Sequence, residues 1–132
     1  MTQTSSTQGE KPTVLIIDDD RSVLNALARL VRSAGYDVRA FGLPSALLGA
    51  QIPADHACMV VDVNLPEMNG VELCQTLARS GRGLPVIFIT GRDDATTMAL
   101  IRQAPCVAVL FKPFDENLLL PAISQALKIE GE

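Results

Sequence analysis

Four apolar runs in this chain each end on a side chain able to do chemistry. Met59 to Val61 runs into Asp62 and then breaks at Asn64, Pro66 and Gly70; Val14 to Ile17 runs into Asp18, Asp19 and Asp20; Val86 to Ile89 runs into Thr90; Val107 to Phe111 runs into Lys112. Carboxylates bind hard cations and can act as nucleophiles, a hydroxyl donates to an anion, and an ammonium neutralises one. Runs that are apolar throughout read as strands of a parallel sheet covered on both faces, and in such sheets the crevice at the strands' carboxyl ends is where ligands bind. The spacing therefore predicts that a carboxylate cluster, a hydroxyl and an ammonium converge on one edge.

The elements that must hold them there alternate. Thr13 to Ile17 is predicted as a central strand, and Asp20 to Ala34 as a helix, because Val23, Leu24, Leu27, Leu30 and Val31 recur at helical spacing before Gly35 closes it. Tyr36 to Phe41 alternates polar and apolar residues and suits an edge strand. A short helix from Pro44 to about Ala50 precedes a buried strand over Ala57 to Val61. Gly70 to Ser80 places Val71, Cys74, Leu77 and Ala78 on one helical face. Pro85 opens the next strand, to Ile89, where a proline is tolerated. Asp93 and Asp94 start a helix with Ala95, Met98, Ala99 and Arg102 on one side, and Pro105 stops it. Val107 to Phe111 is the last strand, and Asp115 caps a final helix to about Lys128. There Leu118, Leu119, Ile123 and Leu127 are expected in the core, and Pro121 predicts a kink or a late helix start. Five strands alternating with five helices give a doubly wound α/β structure with right-handed crossovers.

Composition narrows the function. The chain has 132 residues, 48% of them hydrophobic, which fits a single domain of about 100–150 residues with a real core. A net charge of −4 with eleven scattered Lys and Arg argues against direct nucleic-acid binding, which needs clustered cations. Cys58, Cys74 and Cys106 are odd in number and widely spaced, so they read as reduced core thiols of a cytoplasmic protein rather than a zinc or disulfide framework. No apolar run approaches the ~20 residues of a membrane span. Residues 1–11 read as a disordered tail and 12–132 as the domain. The lone His56 is expected in a loop, without a phosphorylation or ligand role.

The four marks, in order, identify a family: the chain resembles the receiver domain of bacterial two-component response regulators over roughly Pro12 to Lys128. They are Asp18-Asp19, Asp62 with Asn64-Leu65-Pro66 and Gly70, Thr90-Gly91, and Lys112-Pro113-Phe114. The wording Phe88-Ile89-Thr90-Gly91-Arg92 and Lys112-Pro113-Phe114-Asp115 is similar to the nitrogen-fixation regulator subgroup. The resemblance implies a flavodoxin-like five-stranded parallel sheet of order 2-1-3-4-5, an order for which the family supplies a standard example. Strands one and three are then neighbours, and Asp18, Asp19 and Asp62 share a crevice. Two such charges 4 Å apart repel by about 4 kcal/mol at an effective dielectric of ~20, so a cation is required, and Mg²⁺ suits an all-oxygen site that keeps waters and accepts a phosphate.

By resemblance, Asp62 is the phosphoacceptor, charged from a sensor histidine kinase or phosphotransfer protein. Asp19, Asp62 and the backbone carbonyl of Asn64 ligate Mg²⁺ directly, and Asp18 does so through water. Thr90 and Lys112 bind the phosphoryl group, the Lys112–Pro113 bond is cis, and Pro66 and Gly70 are structural. The output is a switched protein-interaction surface for a downstream protein target or output domain, with no enzymatic role beyond self-catalysed phosphorylation and dephosphorylation. A phosphorylation-linked dimer through the fourth helix, fifth strand and fifth helix is the family's usual mode. Two departures fall on that face: Val109 stands where receivers usually carry an aromatic, and Pro105 stands where they carry glycine. They motivate an alternative, a receiver-like interaction module that works without phosphorylation. Each mark alone has a plainer reading: Asp18 to Asp20 as a helix cap, Thr90 as a turn hydroxyl, Lys112 as a solvated surface lysine. The end of the chain at Glu132 suggests a stand-alone regulator or the receiver part of a longer protein.

Overall fold

Hydrophobic period sets the layers. The computed structural model describes residues 11–131, and the strands are β1 (Thr13–Ile17), β2 (Asp37–Phe41), β3 (Ala57–Asp62), β4 (Val86–Thr90) and β5 (Ala108–Phe111). Between and after them run α1 (Arg21–Ser33), α2 (Pro44–Leu48), α3 (Gly70–Arg79), α4 (Ala95–Ile101) and α5 (Glu116–Gly131). The sheet has the order β2-β1-β3-β4-β5, and each neighbouring pair is parallel. The tail expected over residues 1–11 lies, apart from Lys11, outside the described residues.

Because successive strand side chains face opposite ways, the apolar strands feed two cores. Val14, Ile16, Cys58, Val60, Ile87 and Ile89 pack with Leu24, Leu27 and Val31 of α1 and with Leu119, Ile123 and Ala126 of α5. On the other face, Leu15, Ile17, Met59, Val61, Val86 and Phe88 pack with Leu47 of α2, Val71 and Leu77 of α3, and Ile101 of α4. All six residues of β3 are buried, as expected for a strand covered on both sides. β2 is at the edge, and only Val38 and Phe41 are half-buried. Burial raises the Cys74 thiol to about 12, which suits an inert core cysteine rather than a nucleophile.

Helix ends follow capping chemistry. Asp20 accepts from the N–H groups of Ser22 and Val23 and caps α1. Asn69 and Glu72 form a reciprocal capping box on α3, and Asp94 accepts from the Thr97 N–H at the start of α4. These bonds satisfy donors that the first helical turn leaves without partners.

Four local expectations need correction. The buried face of α4 is Thr97 and Ile101, not Ala95, Met98, Ala99 and Arg102; Ala95, Ala99 and Arg102 are exposed. Seven residues are too short for period alone to fix which side turns inward. α4 also ends at Ile101 with Arg102 as its C-cap, before Pro105 can act on it. In α5, Leu118 is 55% exposed, and the buried positions are Leu119, Ala122, Ile123 and Ala126. The helix starts at Glu116 and continues past Pro121, so no late start occurs. Pro121 and Asn117 are both exposed, and the Asn117 carbonyl that loses its helical donor to the proline can turn to water.

Candidate functional site

The strand ends deliver the chemistry-bearing side chains to one edge. β1 and β3 are paired in register with Ile17 opposite Val61, so the residues just beyond them, Asp18 and Asp62, stand side by side. Asp18 is fully buried, Asp62 is 4% exposed, and Asp19 lies open to solvent. One carboxylate oxygen from each of Asp18, Asp19 and Asp62 can be chosen so that all three lie within 4.8 Å of one another. Of the consecutive acids, Asp20 points away and caps α1. The plainer cap reading therefore holds for Asp20 alone.

Lys112, just beyond β5, reaches across. Its Nζ donates to Asp18 Oδ2 at 2.7 Å and to Asp62 Oδ2 at 3.4 Å. The Lys112 backbone N–H donates to the Thr90 carbonyl at 2.8 Å, and the Lys112–Pro113 bond is cis. Asp18 is held further by the Asp20 N–H at 2.9 Å, and Asp62 by the Asn64 N–H at 3.1 Å. Burial is the main cause that raises the Asp62 carboxyl to about 6, and the Asp18 charge adds to it, while the Asn64 N–H and Lys112 work against the rise. Burial alone would lower the Lys112 ammonium, yet the Asp18 hydrogen bond and the two carboxylate charges outweigh it and hold the lysine above its ordinary value. The site therefore keeps a protonated lysine against two carboxylates.

Thr90 closes the crevice from β4. It is fully buried. Its hydroxyl accepts from Asn64 Nδ2 at 3.0 Å and from the Arg92 N–H at 3.0 Å, and it donates to the Arg92 carbonyl at 3.2 Å. Gly70 makes the turn after β3 fit: a Cβ there would lie 2.4 Å from the Asp62 carbonyl oxygen and 2.8 Å from Val61 Cγ1. No residue larger than glycine has room at that position. Pro66 lines the mouth of the crevice beside Asp18, Asp19, Arg21 and Leu43.

Two side-chain contacts that the sequence does not show act here. Asn64, expected from the resemblance as a backbone-carbonyl ligand, also bonds Thr90 Oγ1 through its side-chain amide, a contact that sequence spacing does not signal. Glu67 accepts from the Ser45 N–H at 2.9 Å and from Ser45 Oγ at 3.0 Å, tying the Asp62 loop to the first turn of α2. It does so from a backbone φ of 72°, which its sequence neighbours did not signal. Val109 is half-buried against the α3–α4 core, and the nearest aromatic on its strand is Phe111, 43% exposed and in register with Thr90.

The donor set is all oxygen, three carboxylates against one ammonium, so two negative charges are left over. Such a set fits a hard divalent cation such as Mg²⁺. Among the described residues no helix is long and apolar enough to cross a membrane.

Comparison with known proteins agrees with this geometry. Residues 14–124 match the family described as response regulator receiver domain. The chain is 38% identical over 120 residues to the response regulator protein TmoT of Ectopseudomonas mendocina, covering 91% of this chain and 54% of that protein. It is 34% identical over 119 residues to the transcriptional regulatory protein FixJ of Azorhizobium caulinodans, covering 90% and 56%. The chain thus spans about half the length of the curated relatives it matches. The crystal structure of FixJ-N superposes with a TM-score of 0.78 at 28% identity, covering 90% of this chain and 95% of that one. Similarity to the FixJ proteins fits the nitrogen-fixation regulator subgroup expected from the wording around Thr90 and Lys112. With its sheet order, its acidic crevice and its relatives in agreement, the chain belongs to the response regulator receiver domain family.

Proposed function

We propose that Asp62 is the residue through which this receiver accepts a phosphoryl group, with Asp18, Asp19, Thr90 and Lys112 as its working partners. The observation that carries this is the placement of Asp62. It is buried at a strand end, within 4.8 Å of two further carboxylate oxygens, and 3.4 Å from a lysine ammonium.

Mg²⁺ would be held by Asp19, Asp62 and the Asn64 carbonyl directly and by Asp18 through water, and when bound it neutralises charge on the transferring phosphoryl oxygens. The chain's own residues do the rest. An Asp62 carboxylate oxygen forms a bond to phosphorus as the donor's phosphorus–nitrogen bond breaks, and the electron pair returns to the donor imidazole. Lys112 balances charge on the phosphoryl oxygens, and the Thr90 hydroxyl donates to one of them once the group is in place. A phosphoryl group brings about −1.5 to −2 charges and three strong acceptors, enough to draw Thr90 and Lys112 toward position 62 and shift the loops that follow β4 and β5.

The donor is a sensor histidine kinase or phosphotransfer protein, and the recipient of the signal is an output domain or a separate protein partner in the cytoplasm. Catalysis is confined to the protein's own phosphorylation and dephosphorylation. In the transcriptional relatives, nucleic-acid binding would belong to the part of the protein that this chain does not match. For this chain, the net charge of −4 supports signalling by protein contact.

Borohydride reduction of the phosphorylated protein, followed by peptide mass mapping, tests the assignment, because it converts an acyl phosphate to an alcohol at the modified residue. The reduced position is expected at Asp62. Reduction at Asp18 or Asp19 instead would overturn it.

A further inference from the structure

The Thr90 hydroxyl carries an unusual burden for a group that has to move. A hydroxyl has one proton to donate and two lone pairs to accept with, and in this structure all three are committed: to the Arg92 carbonyl at 3.2 Å, and from the Arg92 N–H and Asn64 Nδ2 at 3.0 Å each. The residue is fully buried, so the hydroxyl's partners in the intact protein are protein groups. Two of the three bonds are to the backbone two residues on and form a local turn that any side chain at position 92 would allow. The third comes from across the crevice, from the loop that carries Asp62. It is the only one of the three that depends on a side chain other than Thr90's own.

We propose that Asn64 is a positioning residue that latches Thr90 in the unphosphorylated arrangement. Its amide holds the hydroxyl in the turn with Arg92, and the latch must open before Thr90 can donate to a phosphoryl oxygen. The same loop already engages the acceptor, because the Asn64 backbone N–H donates to Asp62 Oδ1 at 3.1 Å. Asn64 thus touches both the residue that receives the group and the residue that answers it. A phosphoryl group at Asp62 competes with the Arg92 carbonyl for the hydroxyl proton and draws the hydroxyl away from the place where the Asn64 amide holds it, so one event both loads the site and opens the latch. Asn64 is itself exposed, so truncating its side chain empties no core space.

The proposal rests on the reading of Asp62 and Thr90 above, and its test separates the two. Beryllium fluoride with Mg²⁺ serves as the phosphoryl mimic, and the Thr90 methyl resonance reports both binding and the position of the side chain. Four proteins are titrated: wild type, Asn64→Ala, Thr90→Ala and the double variant, with a methyl or amide probe beside position 62 following the two that lack Thr90. A typical hydrogen bond is worth about 0.5–1.5 kcal/mol, so removing the latch is expected to tighten beryllium fluoride binding about two- to tenfold. It is also expected to move the Thr90 methyl toward its activated position before any mimic is added. In the Thr90→Ala background the Asn64→Ala effect is expected to vanish, since no hydroxyl is left to hold. An Asn64→Ala effect of equal size with and without Thr90 would show that Asn64 acts directly on the bound group or the metal, and would overturn the latch. Unchanged binding in Asn64→Ala would overturn it as well. Failure of wild type to bind the mimic at all would instead strike the phosphoacceptor reading.

Discussion

Lys112 is bonded to Asp18 more closely than to Asp62: its Nζ stands 2.7 Å from Asp18 Oδ2 and 3.4 Å from Asp62 Oδ2. The ammonium therefore rests on a carboxylate that is not the proposed acceptor. Asp62 is left with one oxygen held by the Asn64 N–H and the other only loosely engaged. In the unphosphorylated state the lysine holds the crevice together against carboxylate repulsion, and it is near enough to Asp62 to follow charge that arrives there.

Removing that lysine leaves the fully buried Asp18 without a cation. Breaking a buried pair costs about 3–5 kcal/mol, and since Lys112 keeps 23% of its side-chain surface in water, screening reduces the expected loss for Lys112→Met to roughly 2 kcal/mol. Thermal unfolding in chelator should fall by roughly 5–10 °C. Added Mg²⁺ should recover more of the melting temperature in the variant than in wild type. A variant as stable as wild type without metal would mean that the pair contributes nothing.

The raised Asp62 carboxyl gives a pH dependence with a definite sign. Its folded value of about 6 lies above the unfolded value of about 3.9, so the folded protein binds the proton more tightly. The stability from this group is complete below about pH 4 and is lost as pH rises through about 6. In metal-free protein, denaturant titrations should show this decline between pH 4 and 6, and Asp62→Asn should flatten it and be the more stable form at pH 7. Divalent metal competes with the same proton, so its affinity for wild type should weaken as pH falls below about 6.

Gly70→Ala tests the close approach behind Asp62, the proposed acceptor. Its Cβ would fall 2.4 Å from the Asp62 carbonyl oxygen and 2.8 Å from Val61 Cγ1, against backbone and core that cannot yield freely. A loss of about 1–3 kcal/mol is expected. Metal titration should also weaken, because the displaced strand end carries Asp62. A change in stability with metal affinity untouched would show that the turn adjusts without moving the site.

The Glu67 clasp on Ser45 can be separated from its backbone strain by comparing two substitutions. Glu67→Ala loses both hydrogen bonds and keeps a side chain at φ 72°, whereas Glu67→Gly loses the bonds and relieves the strain. Since a left-handed backbone costs a residue with a Cβ roughly 1–2 kcal/mol, Gly is expected to be the more stable of the two by about 1 kcal/mol, and both less stable than wild type. Equal stability of the two variants in chemical denaturation would remove the strain argument.

Much of this is legible in the sequence. Continuous apolar runs mark four strands, alternation marks the edge strand and a 3.6-residue period marks the longer helices; the residues ending the four apolar runs are those that meet in the crevice, because strand ends in a parallel sheet share one edge. Short elements were read less well. α4 offers only two turns to fix a face, and in α5 the run Leu118-Leu119-Leu120 gives no period with which to tell the buried leucine from the exposed one. Contacts across loops were not legible at all. Nothing in the spacing of Asn64 and Thr90, 26 residues apart, or of Ser45 and Glu67, 22 apart, says that they touch, since that depends on how two turns lie against each other. Resemblance supplied the strand order, which periodicity leaves open.

Phosphoryl incorporation is expected to run through Asp62 and to need a divalent cation. Wild type and Asp62→Asn are incubated with a small-molecule acyl phosphate, with Mg²⁺ or with chelator, and intact masses are read. One phosphoryl adduct is expected on wild type with Mg²⁺, and none on the variant or in chelator. An adduct of equal yield on Asp62→Asn would place the acceptor at another residue.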